Sequence, residues 1–401
     1  MKHDFSEPTR EAGLKILERF VERAGADYAR DRNHDNGPDE RANVSGLSPF
    51  LRRRLVLEEE VVGAALKRHG ARAAEKFVQE VVWRTYWKGW LQMRPSIWHE
   101  HRAELEKSVN DLNRFRDLRA RYDEAVEGRT GIEPFDEWSR ELRETGYLHN
   151  HARMWFASIW LFTLELPLAL GADFFHRHLL DGDPASNTLS WRWVAGLHTA
   201  GKAYAATASN IAKFTNGRFR LKNSDLNANV RPIGEAEKPD PTPLPTLPER
   251  PDGPFVLLVT EDDCCPETLG LDMSVCRAAV AFDTTRMRSP LETSDLVKGF
   301  AEGAMGDALA RVRRTGVAET VLTADPERLK GVALAHDGAT LAGAELPVGP
   351  ARDVLEPVLG ELDWRPVRRR WDALFWPHAT AGYFKVKKKI PDVLRTFERE
   401  A

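Results

Sequence analysis

Between Pro232 and Pro254 the chain places Pro239, Pro241, Pro243, Pro245, Pro248 and Pro251 in a stretch with few apolar residues. Proline fixes φ and removes a backbone donor, so such a run joins neither a helix interior nor a central strand and acts as a semi-rigid spacer. It divides the 401 residues into two pieces, each long enough to bury a core. The expected organisation is a helical domain over residues 1–229, a proline-rich linker over 230–254, and an α/β domain with a helical tail over 255–401.

Apolar spacing gives each piece its class. Upstream, Leu55, Val56, Val61, Val62, Ala65 and Leu66 recur at helical intervals, as do Phe77, Val81, Val82 and Trp83, then Met154, Phe156, Ile159 and Trp160. Downstream, the β-rich runs Phe255 to Val259, Ala278 to Phe282 and Thr320 to Thr323 alternate with helical patterns such as Asp295 to Arg314. No run approaches the ~20 apolar residues of a membrane span, and Met1 to Arg10 is charged where a secretory peptide is apolar. These features point to a cytoplasmic protein without a membrane partner. Three cysteines, Cys264, Cys265 and Cys276, lack the spacing of a disulfide framework or metal site, so reduced thiols and no metal are expected. A net charge of -3 gives no global attraction to nucleic acid and demands a local basic surface for any such contact.

Three segments carry chemistry. Asn43-Val44-Ser45-Gly46-Leu47-Ser48-Pro49 sets short hydroxyls and a glycine before a helical run starting near Leu51, which suits either a phosphate seat or a simple N-cap. In Phe77 to Trp87, Glu80, Trp83, Arg84 and Trp87 fall on neighbouring helical turns, the makings of a grip on a flat, polar-edged ligand or of a core helix with a surface ion pair. Thr145 to Met154, then Asp181-Gly182-Asp183, Asn187, Trp191 and Trp193, supply the amide, carboxylate and guanidinium groups that an isoalloxazine ring requires. Taken singly, they also read as a turn and a structural histidine.

In order and together, these segments resemble the FAD domain of DNA photolyases and cryptochromes. That family shows a tyrosine ahead of Ser-x-Leu-Ser-Pro, then Glu-x-x-Trp-Arg, then Thr-Gly-aromatic-x-His-Asn-x-x-Arg-Met, then Asp-Gly-Asp, Asn and Trp-x-Trp. The resemblance spans about residues 10–220. It implies a mainly α-helical photolyase-type FAD-binding domain followed here by a smaller α/β domain. It implies further that Tyr28, Ser45, Gly46, Leu47 and Ser48 hold the FAD diphosphate and that Arg84 and Asn150 contribute to the cofactor site. Arg153 would pair with Asp181 beside the flavin, Asp183 would meet its pyrimidine edge, and Asn187 would face N5.

On the substrate side, Glu80, Trp83, Asn150, Met154 and Trp193 match positions lining the pocket for a flipped pyrimidine dimer in cyclobutane-dimer photolyases. The implied partner is UV-damaged DNA, the implied activity a light-driven lyase reaction of a monomer, and Arg52, Arg53, Lys88, Arg94, Arg192 and Lys202 the phosphate contacts. The alternative implied by the same family is a cryptochrome-like blue-light sensor without repair. Two departures stand out. The α/β segment follows the FAD domain instead of preceding it, so a second, antenna chromophore is left unassigned. The electron-carrying tryptophan chain keeps its flavin-proximal member at Trp191 but meets Leu168 at the middle position and the neighbourhood of Phe115 at the distal one, so the usual route is interrupted, and photoreduction slow or rerouted, unless Trp155, Trp160 or another tryptophan substitutes.

Overall fold

The computed structural model describes residues 3–198, 201–235 and 238–399. The first piece is helical: α1 (Arg10–Phe20), α2 (Ala26–Asp31), α3 (Ser48–Arg52), α4 (Glu58–Gln92), α5 (Pro95–Arg114), α6 (Arg116–Glu127), α7 (Glu133–Thr145), α8 (Asn150–Phe162), α9 (Leu168–His178), α10 (Pro184–Val194) and α11 (Ala208–Phe214). Caps fix the starts of several. Thr9 accepts from the Ala12 N–H before α1, and the Asp183 carboxylate accepts from the Ser186 N–H before α10, each satisfying an otherwise orphaned donor. The two apolar runs expected around Leu55 to Leu66 and Phe77 to Trp83 merge into α4, kinked where Gly70 leaves helical geometry (φ 72°, ψ 165°).

The second piece holds a parallel sheet of β1 (Phe255–Thr260), β2 (Cys276–Phe282), β3 (Glu319–Thr323), β4 (Thr340–Ala344) and β5 (Trp364–Val367), in the order β3-β2-β1-β4-β5. Helices α12 (Asp295–Arg313), α13 (Pro326–Leu334) and α14 (Pro350–Leu359) connect its strands. Strand side chains alternate between faces. Phe255, Leu257, Val259, Ala279 and Ala281 join α12 and the helical piece in one apolar core, while Val256, Leu258, Val280 and Phe282 pack with Leu329 and Val332 of α13 and Leu355 and Leu359 of α14. Burial on both faces explains the unbroken apolar reading of Phe255 to Val259. A separate core within the helical piece gathers Trp138, Trp155, Phe156, Trp160 and Trp191.

After β5 the chain returns to α4 through α15 (Arg370–Phe375), α16 (Tyr383–Lys387) and α17 (Ile390–Arg399). Trp371 Nε1 donates to Thr85 Oγ1 at 2.8 Å. Trp376 lies so close to Gly89 that an added Cβ there would meet its ring at 2.7 Å, which reserves that position for glycine. The proline segment runs along the end of α4, where Thr242 N–H donates to Met93 O at 2.9 Å.

Four basic residues expected on a phosphate-contacting surface are not on a surface. Arg52, Arg53, Lys88 and Arg94 are all buried. Arg52 and Arg53 reach the acidic loop after β1, and Arg94 donates to the carbonyls of Pro239 and Thr380, each at 2.8 Å. The helical piece meets the sheet along this side, so these cations compensate internal carboxylates and carbonyls instead of phosphate. Arg192 is half-buried and Lys202 exposed. No helix among the described residues is long and apolar enough to cross a membrane.

Candidate functional site

Three adjoining elements bring the motif residues together. At 100° per residue, Glu80, Arg84 and Trp87 share one sector of α4, facing α2 and α10. Arg84 reaches the loop before α10, where Nη2 donates to Asp183 Oδ2 at 3.1 Å, and it also donates to the carbonyls of Leu51 and Arg52. Asp183 thus caps α10 with one oxygen and holds Arg84 with the other. Burial alone would raise its pKa, but Arg84, Lys88 and Arg52 overcome that and hold the carboxyl well below the usual range.

One turn into α8, Arg153 makes a bidentate pair with Asp181, Nη1 to Oδ1 at 3.0 Å and Nη2 to Oδ2 at 2.9 Å. Asn187, one turn into α10, is fixed by its Nδ2 donating to Ala172 O at 2.7 Å.

Glu80 and Arg153 stay partly accessible at a recess between their helices, while Asp183 and Asn187 are buried. Glu80 keeps 30% of its side-chain surface and Arg153 23%, yet desolvation by the surrounding protein raises the Glu80 pKa against the opposing Arg32 guanidinium. Tyr28 on α2 lies at the edge of the recess, in T-shaped contact with Phe77 at 5.1 Å, its phenol pKa raised by burial and by Glu80. The turn Ser45 to Ser48 is shaped by Gly46 at φ 69° and by Ser45 Oγ accepting from Leu47 N–H at 3.2 Å. Leu47 is buried in the core, so its role there is packing.

The remaining residues are placed more loosely. Asn150 opens α8 and is exposed; Met154 is half-buried; Trp193 packs against Tyr204 at 5.5 Å and retains exposure. Trp191 is buried with an unpartnered indole N–H. Its ring meets Phe175 at 5.2 Å and Trp160 at 6.2 Å, whereas Trp155 stacks on His151 at 4.4 Å. Of the two aromatics named as substitutes, Trp160 is the one in ring contact with Trp191. Leu168 starts α9, and Phe115 is an exposed side chain between α5 and α6. An open cleft of about 560 Å³, lined among others by Arg23, His34, Asn36, Asn43 and Asn216, meets the motif segments only at Asn43.

Two participants escaped the sequence reading. Arg32 is ion-paired with Glu80, and its position four residues beyond Tyr28 on the same helical face is a signal that was available. Tyr383 stacks on Trp83 from 300 residues away, and nothing local announces it. Among the described residues, no group of three His, Cys, Asp or Glu side chains is arranged to hold a metal ion, and the three cysteines are free and buried.

Comparison with known proteins bears on this arrangement. Residues 77–218 match the model of the FAD binding domain of DNA photolyase. The chain is 33% identical over 192 residues to a deoxyribodipyrimidine photo-lyase of Streptomyces griseus, covering 47% of this chain and 39% of that protein. It is 34% identical over 196 residues to one from Thermus thermophilus, covering 48% of this chain and 43% of that protein. A solved class III photolyase from Agrobacterium tumefaciens is 26% identical with a TM-score of 0.41, over 52% of this chain and 43% of that one. The chain thus spans well under two thirds of these proteins' lengths.

Proposed function

Because residues 77–218 match the model of the FAD binding domain of DNA photolyase, we propose that the protein binds FAD in the recess between α2, α4, α8 and α10. With it, under blue light, the protein splits cyclobutane pyrimidine dimers in DNA. The reading is of a deoxyribodipyrimidine photo-lyase acting as a monomer in the cytoplasm.

The observation that carries the reading is the bidentate Arg153–Asp181 pair on α8 and the loop before α10, with Glu80 of α4 still accessible. The donor set fits a flavin dinucleotide. The Ser45 to Ser48 turn offers hydroxyls and backbone N–H groups suited to a diphosphate, with Tyr28 at its side. Arg153–Asp181, Asp183 and the fixed amide of Asn187 supply the donors, acceptors and cation that the ring edges need. Bound and reduced, FAD supplies the electron that opens the cyclobutane ring and receives it back.

The chain's own groups do the rest. Arg84 holds Asp183, whose carboxylate would meet the cofactor. Trp83 and Trp193 offer stacking surfaces to a dimer extruded from the duplex, as the lesion cannot reach a buried site while stacked. Glu80, ion-paired with Arg32, keeps carboxylate oxygens that can accept from a base N–H; Asn150 adds an amide and Met154 an apolar wall. Trp191, in ring contact with Trp160, is placed to relay electrons.

The test is the absorbance of the purified protein, followed by chemical reduction and illumination with a dimer-containing oligonucleotide. Flavin bands with thymine recovery support the lyase. Flavin bands without recovery move the reading to a light sensor, and absence of flavin from protein refolded with excess FAD overturns the site.

A further inference from the structure

Trp83 stands at the boundary of two sectors of α4. Glu80 and Arg84 look into the recess, while Gln79 and Tyr86 look about 100° to one side, toward the segment that returns after β5. From that side Tyr383 reaches in. Its hydroxyl donates to Gln79 O at 2.9 Å, its ring meets Tyr86 edge-on at 5.7 Å, and it lies flat on Trp83 with centroids 3.6 Å apart and planes 11° from parallel. This is the closest aromatic stack among the described residues. Tyr383 is buried whereas Trp83 stays half-exposed. One indole face is therefore covered, and the accessible surface belongs to the rest of the ring.

Around Tyr383 the segment has its own anchors. Trp371 bonds Thr85, Trp376 seats against Gly89, and Lys387 pairs with Glu75 at 3.4 Å. None of these needs the Tyr383 ring, so holding the segment in place does not account for a ring laid flat on Trp83.

We propose that Tyr383 is a positioning residue for base recognition. It clamps the outer face of Trp83, so the inner face is presented to an extruded base without the cost of ordering a free indole. Stacking on one face needs only a planar ring, so the ligand recognised is a flipped pyrimidine of whatever sequence context. The wall of the recess is thereby completed by the C-terminal segment, outside the residues matched to the FAD-binding family. The inference rests on the DNA-repair reading above.

The test compares the parent with Tyr383→Phe and Tyr383→Leu, measuring dark binding to dimer-containing and undamaged duplexes by fluorescence anisotropy at one salt concentration. Tyr383→Phe should keep the parent's preference for the damaged duplex. Tyr383→Leu should lower that preference about five- to tenfold, a fraction of what a base–aromatic stack provides, with undamaged binding unchanged. An unchanged preference in Tyr383→Leu overturns the proposal, and so does equal loss on both duplexes. A parent without any preference refutes the repair reading instead. The clamp is then decided by the near-ultraviolet dichroism that the parent loses in Trp83→Phe: it stands if Tyr383→Leu loses the same signal and falls if the signal persists.

Discussion

The helical recess and the crevice at the carboxyl end of the sheet are built from the same chemistry, arginine against carboxylate, and differ in how much room is left. In the recess, Arg153, Glu80 and Arg32 are paired but keep about a quarter of their side-chain surface. In the sheet, the strand order reverses between β1 and β4, the place where open α/β sheets ordinarily take ligands. Here the loop after β1 offers Glu261, Asp262 and Asp263, and the protein fills the space itself. Arg288 grips Glu261 at 2.6 and 2.7 Å, Arg52 donates to Asp262 at 2.6 Å, and Arg369 donates to Asp263 at 2.6 Å. All of these residues are buried. The contrast separates a site from a joint. Partly accessible charges leave work for a ligand, whereas fully buried and paired ones fasten the sheet to the helices.

The sharpest way to break this comparison is to remove the central carboxylate of the joint. Glu261→Gln leaves Arg288, Arg52 and Arg53 buried around a neutral amide, and the loss of one partner of a buried pair costs about 3–5 kcal/mol. Urea denaturation should show that loss together with broadened unfolding as sheet and helices part. A change below about 1 kcal/mol would mean that the crevice is hydrated and not a joint at all.

Asp183→Ala attacks the recess at its most committed group. It removes the α10 cap, about 1 kcal/mol, and leaves Arg84 without its carboxylate, so a stability loss of about 2–3 kcal/mol is expected. Flavin should be lost as well, read as colour after gel filtration. A mutant as yellow as the parent would put Asp183 outside the cofactor site.

Acid should separate Glu80 from the other paired carboxylates by sign. Glu261, Asp183 and Asp263 have folded pKa values held below the carboxylate range, since arginines outweigh the opposing burial. Their contribution is present above the unfolded value near 4 and is lost as pH falls through the folded values, at up to about 1.4 kcal/mol per pH unit for each proton taken up. Glu80 runs the other way: its raised pKa makes its charge a burden that disappears as pH drops. Melting followed from pH 6 to 3 should therefore fall in the parent and fall less in Glu261→Gln.

Much of this was legible in the sequence, and the parts that were not share a cause. The strands at Phe255 and Ala278 were readable because residues buried on both faces give continuous apolar runs, and the more exposed edge strand at Thr320 because of its β-branched residues. Thr340–Ala344 and Trp364–Val367 were not, since Gly343 and Pro366 interrupt them. Arg153 and Asp181 lie in ordered motifs and could be paired, and Arg84 and Asp183 could be named singly, though their bond to each other appears only in the structure. The fates of Arg52, Arg53 and Lys88 could not, because an arginine facing solvent and one facing Glu261 look alike until the sheet is docked. Tyr383 is the same case: its partner is fixed by how the chain returns after β5, and local spacing holds no record of that.

The smallest effect sharpens the comparison most finely. Glu80→Gln removes a carboxylate paired with Arg32, as Glu261→Gln does with its arginines, but at a place where both partners can still reach water. The residual Arg32 charge is screened, and the glutamine gives up a charge that burial already disfavoured. Stability should therefore stay within about 1 kcal/mol of the parent, while dimer repair falls and flavin content stays constant. Matched urea curves for the two glutamines then measure the property that separates site from joint. Similar losses would place Glu80 in the framework, whereas a small loss with impaired repair would place it at the substrate.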